Sequence, residues 1–177
     1  QSFNVIGMFM YPAPIITGQP QNHLAVRGDT VTFQVGASPS GPGEMRYLWT
    51  FNHSIIPGAT SAQLTVTNVS DQNQGTYRAV VAGYSAPSAV SSNVVLKVIS
   101  APPELRIGPG YGGLQPDGLH CTLLSDPGLV CGLERSTNLL HWEGFLSVTN
   151  LSGELSLTDP AATTTPYSFY RAIGRLP

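Results

Sequence analysis

Apolar and polar side chains alternate with period two in short runs through residues 15–99. Val31, Phe33 and Val35 share one side against Thr30, Thr32 and Gln34, and Tyr47, Trp49 and Phe51 repeat the pattern after the loop SPSGPGE. Leu64 and Val66 alternate with Thr65 and Thr67, Tyr77, Ala79 and Val81 with Thr76 and Arg78, and Val94, Leu96 and Val98 complete the set. Gly, Pro, Asn or Ser bounds each run, which predicts half-buried antiparallel strands. The periodicity stops at Ser100-Ala101-Pro102-Pro103, where two consecutive prolines remove ladder donors and fix φ. Beyond that boundary, runs at 104–107, 119–125, 129–136, 141–148, 154–158 and 168–173 predict a second group of strands. The expectation is an all-β chain of two tandem antiparallel β-sandwich domains, 15–99 and 104–177. Residues 100–103 link them, and an apolar extension, residues 1–14, precedes them.

Composition narrows the function classes. Charged residues make up 10% of the 177, against about 25% in ordinary soluble domains, so the surface is mostly neutral and polar. Net charge is −2, with Lys97 the single lysine, which leaves no basic patch to neutralise a nucleic-acid backbone. No apolar run approaches the ~18 residues that a membrane helix needs, so no membrane insertion is expected. The 15 prolines and 19 glycines are dispersed, as strand-and-turn structure requires.

Several spaced features in residues 15–99 carry a family resemblance. Gly28-Asp29-Thr30-Val31-Thr32-Phe33 looks like the entry to an immunoglobulin strand B, Tyr47-Leu48-Trp49 places a tryptophan on strand C, and Asn73-Gln74-Gly75-Thr76-Tyr77 resembles the turn before strand F. The segment thus resembles bacterial immunoglobulin-like domains, which implies a sandwich with Trp49 at its centre and Tyr77 in a tyrosine corner. Val35 and Ala79 stand where antibody domains carry the inter-sheet disulfide, and Asn73 stands where aspartate is usual, so packing alone is expected to hold this core. Residues 119–172 resemble a small β module at the C-termini of secreted bacterial proteins. The matching stretches are Glu134-Arg135-Ser136-Thr137-Asn138-Leu139, Trp142, Thr158-Asp159-Pro160 and Phe169-Tyr170-Arg171-Ala172. That likeness implies an extracellular setting, with Trp142 and Tyr170 as core residues, and no particular chemistry.

Candidate chemistry is sparse. Cys121 and Cys131 lie equidistant from Asp126 in the turn Ser125-Asp126-Pro127-Gly128. A symmetric hairpin there would bring them within bridging distance as a disulfide; two reduced buried thiols are the alternative. A metal site fails on spacing, because His120 and Cys121 are adjacent and point to opposite strand faces. His23, His53, His120 and His141 fall in separate segments without metal-ligand spacing. No serine sits in a nucleophile elbow, and the ten acids offer no converging pair. No catalytic residue, metal or cofactor is assigned. Tyr84, Tyr111, Trp142 and Tyr167 are the aromatics that could stack on a sugar, each with a core or turn role as the alternative. Asn52, Asn68 and Asn150 head glycosylation-type triplets.

The extension demands an explanation. Phe3, Val5, Ile6, Met8, Phe9, Met10 and Tyr11 crowd an uncharged segment that is surplus to an immunoglobulin-like domain starting near Ile15. Left in water it would be an aggregation-prone strand. It either folds back on its own chain, adds to the sheet of a second subunit, or marks a boundary inside a larger protein. The sequence points to a non-catalytic extracellular structural subunit that assembles into a filament by β-strand addition of this segment; the alternative is a carbohydrate- or cell-surface-binding accessory module of a larger secreted protein.

Overall fold

The computed structural model describes residues 11–84, 86–164 and 168–176. The chain divides into two compact units between Lys97 and Val98. The first contains β1 (Ile15–Gly18), β2 (His23–Val26), β3 (Val31–Gln34), β4 (Gly36–Ser38), β5 (Arg46–Phe51), β6 (Ser54–Ile55), β7 (Gln63–Val66), β8 (Gly75–Ala82) and β9 (Ala89–Val90). Strand β10 (Val94–Ile99) spans the division.

One sheet runs in the order β2-β10-β8-β5-β6, with β9 on β8, while β3 pairs β7 and β1 pairs β4. The alternation seen in the sequence becomes a core because every second residue turns inward. Val31, Phe33, Val35, Trp49, Tyr77, Ala79, Val81, Val94 and Leu96 are all buried. Phe33 on β3 stacks on Tyr77 of β8 at 4.6 Å between ring centres and lies 6.2 Å from Trp49 on β5, which joins the two faces of a sandwich. The Trp49 indole N–H donates to Ser61 O at 2.9 Å. Tyr77 donates its hydroxyl to Asn73 O at 2.8 Å, closing the tyrosine corner over the short 3₁₀ turn Asp71–Asn73. Asn73 turns its own side chain back to accept from the Ser70 N–H at 2.8 Å, so the asparagine serves the corner that an aspartate usually caps.

The second unit holds β11 (Glu104–Arg106), β12 (Leu114–Gln115), β13 (Gly118–Leu124), β14 (Leu129–Ser136), β15 (Glu143–Asn150), β16 (Glu154–Asp159) and β17 (Phe169–Arg175). Strand β13 pairs with β11 and β12 along one edge and β16 along the other; the remaining sheet has the order β15-β14-β17. This arrangement corrects the expected hairpin. The turn at Ser125–Gly128 does reverse the chain, with Leu129 N–H bonded to Asp126 O at 3.2 Å, but it delivers β14 to the other sheet. Cys121 is therefore registered with Leu157, and Cys131 with Val148 and Gly174. The two cysteines are buried and free, so the anticipated disulfide is not formed. Inward residues Leu119, Cys121 and Leu123 from one sheet and Leu129, Cys131 and Leu133 from the other make this core.

Two polar residues bridge the sheets where the core narrows. Asn150 of β15, fully buried, donates to Leu123 O and to Ser125 Oγ at 3.0 Å. A glycan on Asn150 Nδ2 would break these bonds and does not fit this packing. Asp159 of β16, also buried, accepts from the Tyr170 hydroxyl of β17 at 2.9 Å and from the Ala161 N–H at 3.0 Å. Tyr170 and Trp142 are only half-buried and stand at the margin of the core instead of within it.

Candidate functional site

The chain offers two regions with functional potential, the apolar extension with its prospective acceptor and a groove in the second unit. Phe3, Val5, Ile6, Met8, Phe9 and Met10 lie outside the described residues. Tyr11 is half-buried. Its ring covers Gly41, where an added Cβ would fall 2.6 Å from Tyr11 Cγ, so glycine is required for that approach. Ser40 Oγ donates to Pro12 O beside it. The loop 39–43 thus seats the end of the extension.

Strand β15 is the barest edge of the second unit. It pairs only with β14 among the described residues. A bulge between the Leu133 and Glu134 pairings kinks its start, after which Leu146 to Asn150 run in regular register with Leu133 to Leu129. Natural edges are blunted by Lys, Pro, inward charges or bulges, and the bulge here affects only the start of the strand. Here the only charge in the strand is Glu143, ahead of the bulge, and Leu146 is 38% exposed although it pairs with buried Leu133.

The groove, of about 380 Å³, collects side chains from three parts of the second unit: Arg135 and Thr137 at the end of β14, His141, Trp142 and Glu143 before and at the start of β15, and Thr164 after the turn Pro160–Thr163. The loop that carries His141 and Trp142 is tightly laced. Ser136 Oγ accepts from the Asn138 and Leu139 N–H groups, and Asn138 Oδ1 accepts from those of Leu140 and His141, each between 2.9 and 3.2 Å. Leu139 is held at φ 63°, a left-handed conformation that costs a leucine roughly 1–2 kcal/mol. The lacing offsets that cost and leaves Leu139 and Leu140 54% and 81% exposed.

Fixed ion pairs frame the groove. The Trp142 indole N–H donates to Leu139 O at 3.2 Å, and the Arg171 guanidinium lies 4.1 Å from the ring centre. Arg171 in turn donates to Glu134 at 2.7 Å, and Arg175 approaches the same carboxylate at 3.6 Å while lying over Gly132, where a Cβ would collide with its guanidinium. Arg135 lies between Asp159 at 3.4 Å and Glu143 at 3.7 Å. Burial, and then the bond to Asp159, push the Tyr170 hydroxyl up to about 12. Burial, with Asp159 adding to it, likewise raises the Cys121 thiol and keeps it protonated.

No protein-family model matches the chain, and no curated protein matches its sequence. Its fold is similar to solved immunoglobulin-domain structures. A titin structure in a trigonal form is 23% identical with a TM-score of 0.42, over 51% of this chain and 99% of that one. An I-band fragment of titin is 17% identical with a TM-score of 0.46, over 81% of this chain and 62% of the fragment. Immunoglobulin domains 1–5 of Sidekick-1 are 18% identical with a TM-score of 0.49, over 95% of this chain and 39% of theirs. The chain spans less than two thirds of the latter two. The immunoglobulin-like architecture rests on the strand order, on Trp49 beneath the facing sheet and on the Tyr77 corner.

Of the aromatics singled out in the sequence, Trp142 reaches the groove, Tyr84 is 62% exposed and Tyr111 is bound to Arg106 at 2.9 Å. Tyr167 lies outside the described residues. Sequence reasoning missed Arg135, His141 and Glu143 as a group. Only the folding of β14, β15 and the segment after β16 brings their surroundings together. Among the described residues no set of His, Cys, Asp and Glu could hold a metal ion, and no helix is long and apolar enough to cross a membrane.

Proposed function

We propose that the chain is a non-catalytic structural subunit, exported from a bacterium to the extracellular space, whose uncharged extension adds as a strand to β15 of a second copy. In this reading two sandwich domains, 15–99 and 104–177, are joined by residues 100–103. The observation that carries it is the open edge beyond the bulge: Leu146 to Asn150 of β15 run in regular register without a charge or Pro, with Leu146 exposed on the inward face. An extended segment of residues 3–10 spans about 26 Å at ~3.3 Å per residue, enough to pair along that edge. Main-chain hydrogen bonds supply the association, and Phe3, Val5 and Phe9 or their alternates cover Leu146 and its neighbours, while Tyr11 stays seated on Gly41 of its own chain. Such a contact is heterologous and leaves a free donor and a free acceptor at the two ends, so it propagates as a filament.

Electron microscopy and sedimentation velocity on three proteins test the proposal: the full chain, a form lacking residues 1–11, and the Leu146→Lys variant, whose inward charge blocks the edge. The full chain is expected to form fibres and the other two to remain monomeric. A synthetic peptide of residues 1–14 is expected to bind the truncated protein and not Leu146→Lys. A monomeric full chain, or fibres that persist after deletion, rejects the mechanism.

A further inference from the structure

Beyond self-association, we propose that the groove around Arg135 and Trp142 is a binding site for a neutral sugar ring of a polysaccharide. Four observations on this groove select that ligand class. Its volume of about 380 Å³ sits at the small end of ligand sites, which run about 300–1,000 Å³. Arg135 has Asp159 and Glu143 within 3.4 and 3.7 Å, so its positive charge is already balanced, and an anion entering beside it would meet two carboxylates. A cation would find Asp159 already engaged by the Tyr170 hydroxyl and the Ala161 N–H, and only the water-exposed Glu143 carboxylate open to it. A wholly apolar ligand would strand the polar groups of Thr137, His141, Glu143 and Thr164, which line the same space.

What remains is a ligand with an apolar face and a rim of hydroxyls. Trp142 supplies the aromatic surface, fixed by its N–H bond to Leu139 O and by Arg171 at 4.1 Å. The Glu143 carboxylate is a planar, two-oxygen acceptor with a 75% exposed side chain, and Arg135 is a planar fork of donors whose present partners are long, at 3.4 Å or more. Two such groups side by side match the donor and acceptor pairs of vicinal hydroxyls. The loop from Ser136 to Trp142 is held by its own hydrogen bonds before any ligand arrives, so little ordering is needed on binding.

Affinity electrophoresis of the full chain through gels containing hydroxyethyl cellulose, galactomannan or arabinoxylan, with polygalacturonate as the acidic comparison, tests the site. At least one neutral polymer is expected to retard the protein, and polygalacturonate is not. Trp142→Ala should abolish the retardation. Glu143→Gln, at a side chain too exposed to affect folding, should weaken it about tenfold, the loss of one charge-assisted hydrogen bond. With Trp49 fully buried, acrylamide quenching reports Trp142, and the retarding polymer should slow it. Failure of every neutral polymer, retardation by polygalacturonate alone, or retardation that survives both substitutions overturns the proposal. Because the truncated form lacking residues 1–11 keeps the groove, its retardation separates this test from that of filament assembly.

Discussion

Trp49 and Tyr77 are the residues on which the first sandwich depends. Trp49 is fully buried, hydrogen-bonded through its indole and placed against Phe33 of the facing sheet. Trp49→Ala removes the largest core side chain and should cost about 3–5 kcal/mol, enough to unfold that unit in chemical denaturation followed by circular dichroism. Tyr77→Phe keeps the ring stack and deletes only the bond to Asn73 O, so a loss of about 1 kcal/mol is expected, a fall of about 4–8 °C in melting temperature for a domain of this size. Tyr170 makes a different, pH-dependent contribution. Folding raises its pKa from 10.0 to about 12, so the folded state holds the proton more tightly than the unfolded one. The associated stability is fully present below about pH 10 and is lost as pH rises through about 12. Melting temperatures measured from pH 9 to 12 should fall less steeply in Tyr170→Phe than in the parent, and parallel curves would show that the buried Tyr170 hydroxyl carries no such linkage.

At the scale of elements, the longer strands were legible, because a two-sided surface in a sandwich demands period two and the turns are marked by Gly, Pro and Asn. By contrast, β2 runs Leu24-Ala25-Val26 without alternation, and β4, β6, β9 and β12 are too short to show a period. Val31-Thr32-Phe33-Gln34 reads as buried, exposed, buried, exposed in both sequence and structure. The partner of each strand was not. Ser125-Asp126-Pro127-Gly128 has the turn chemistry for a reversal, yet a hairpin within one sheet and an arch between two sheets use the same residues. In both, Cys121 and Cys131 belong to the inward set; only long-range pairing with β16, β15 and β17 decides that they are not cross-strand neighbours. The groove was illegible for the same reason, since Arg135 comes from β14 and Trp142 and Thr164 from two separate loops, while the extended reading of β15 back to His141 missed the laced loop that Ser136 and Asn138 hold together. The arch has a chemical consequence. Two buried, free thiols should be unreactive toward Ellman's reagent in the native protein and should both react in guanidinium chloride, whereas a bridged pair would give no thiol in either condition.

For the molecule as a whole, charge is the scarce quantity. With 10% charged residues and a net charge of −2, like-charge repulsion between copies is weak, and few surface ion pairs are available to steer them together. Many of the charges that exist are already used within the chain: Arg27 holds Asp71 at 2.6 Å, Arg106 holds Glu104 at 3.1 Å, and Arg171 holds Glu134 at 2.6 Å. Association through the extension and β15 would then rest on main-chain hydrogen bonds and apolar burial, neither of which is screened by salt. At 0.15 M ionic strength the Debye length is already about 8 Å, and at 1 M it is about 3 Å, so an assembly held by complementary charges should weaken severalfold over that range. Sedimentation velocity of the full chain in 0.02, 0.15 and 1 M sodium chloride is expected to give the same or a slightly larger assembled fraction as salt rises. Dissociation at 1 M would mean that charge pairs between copies, and not the uncharged strand, hold the subunits together.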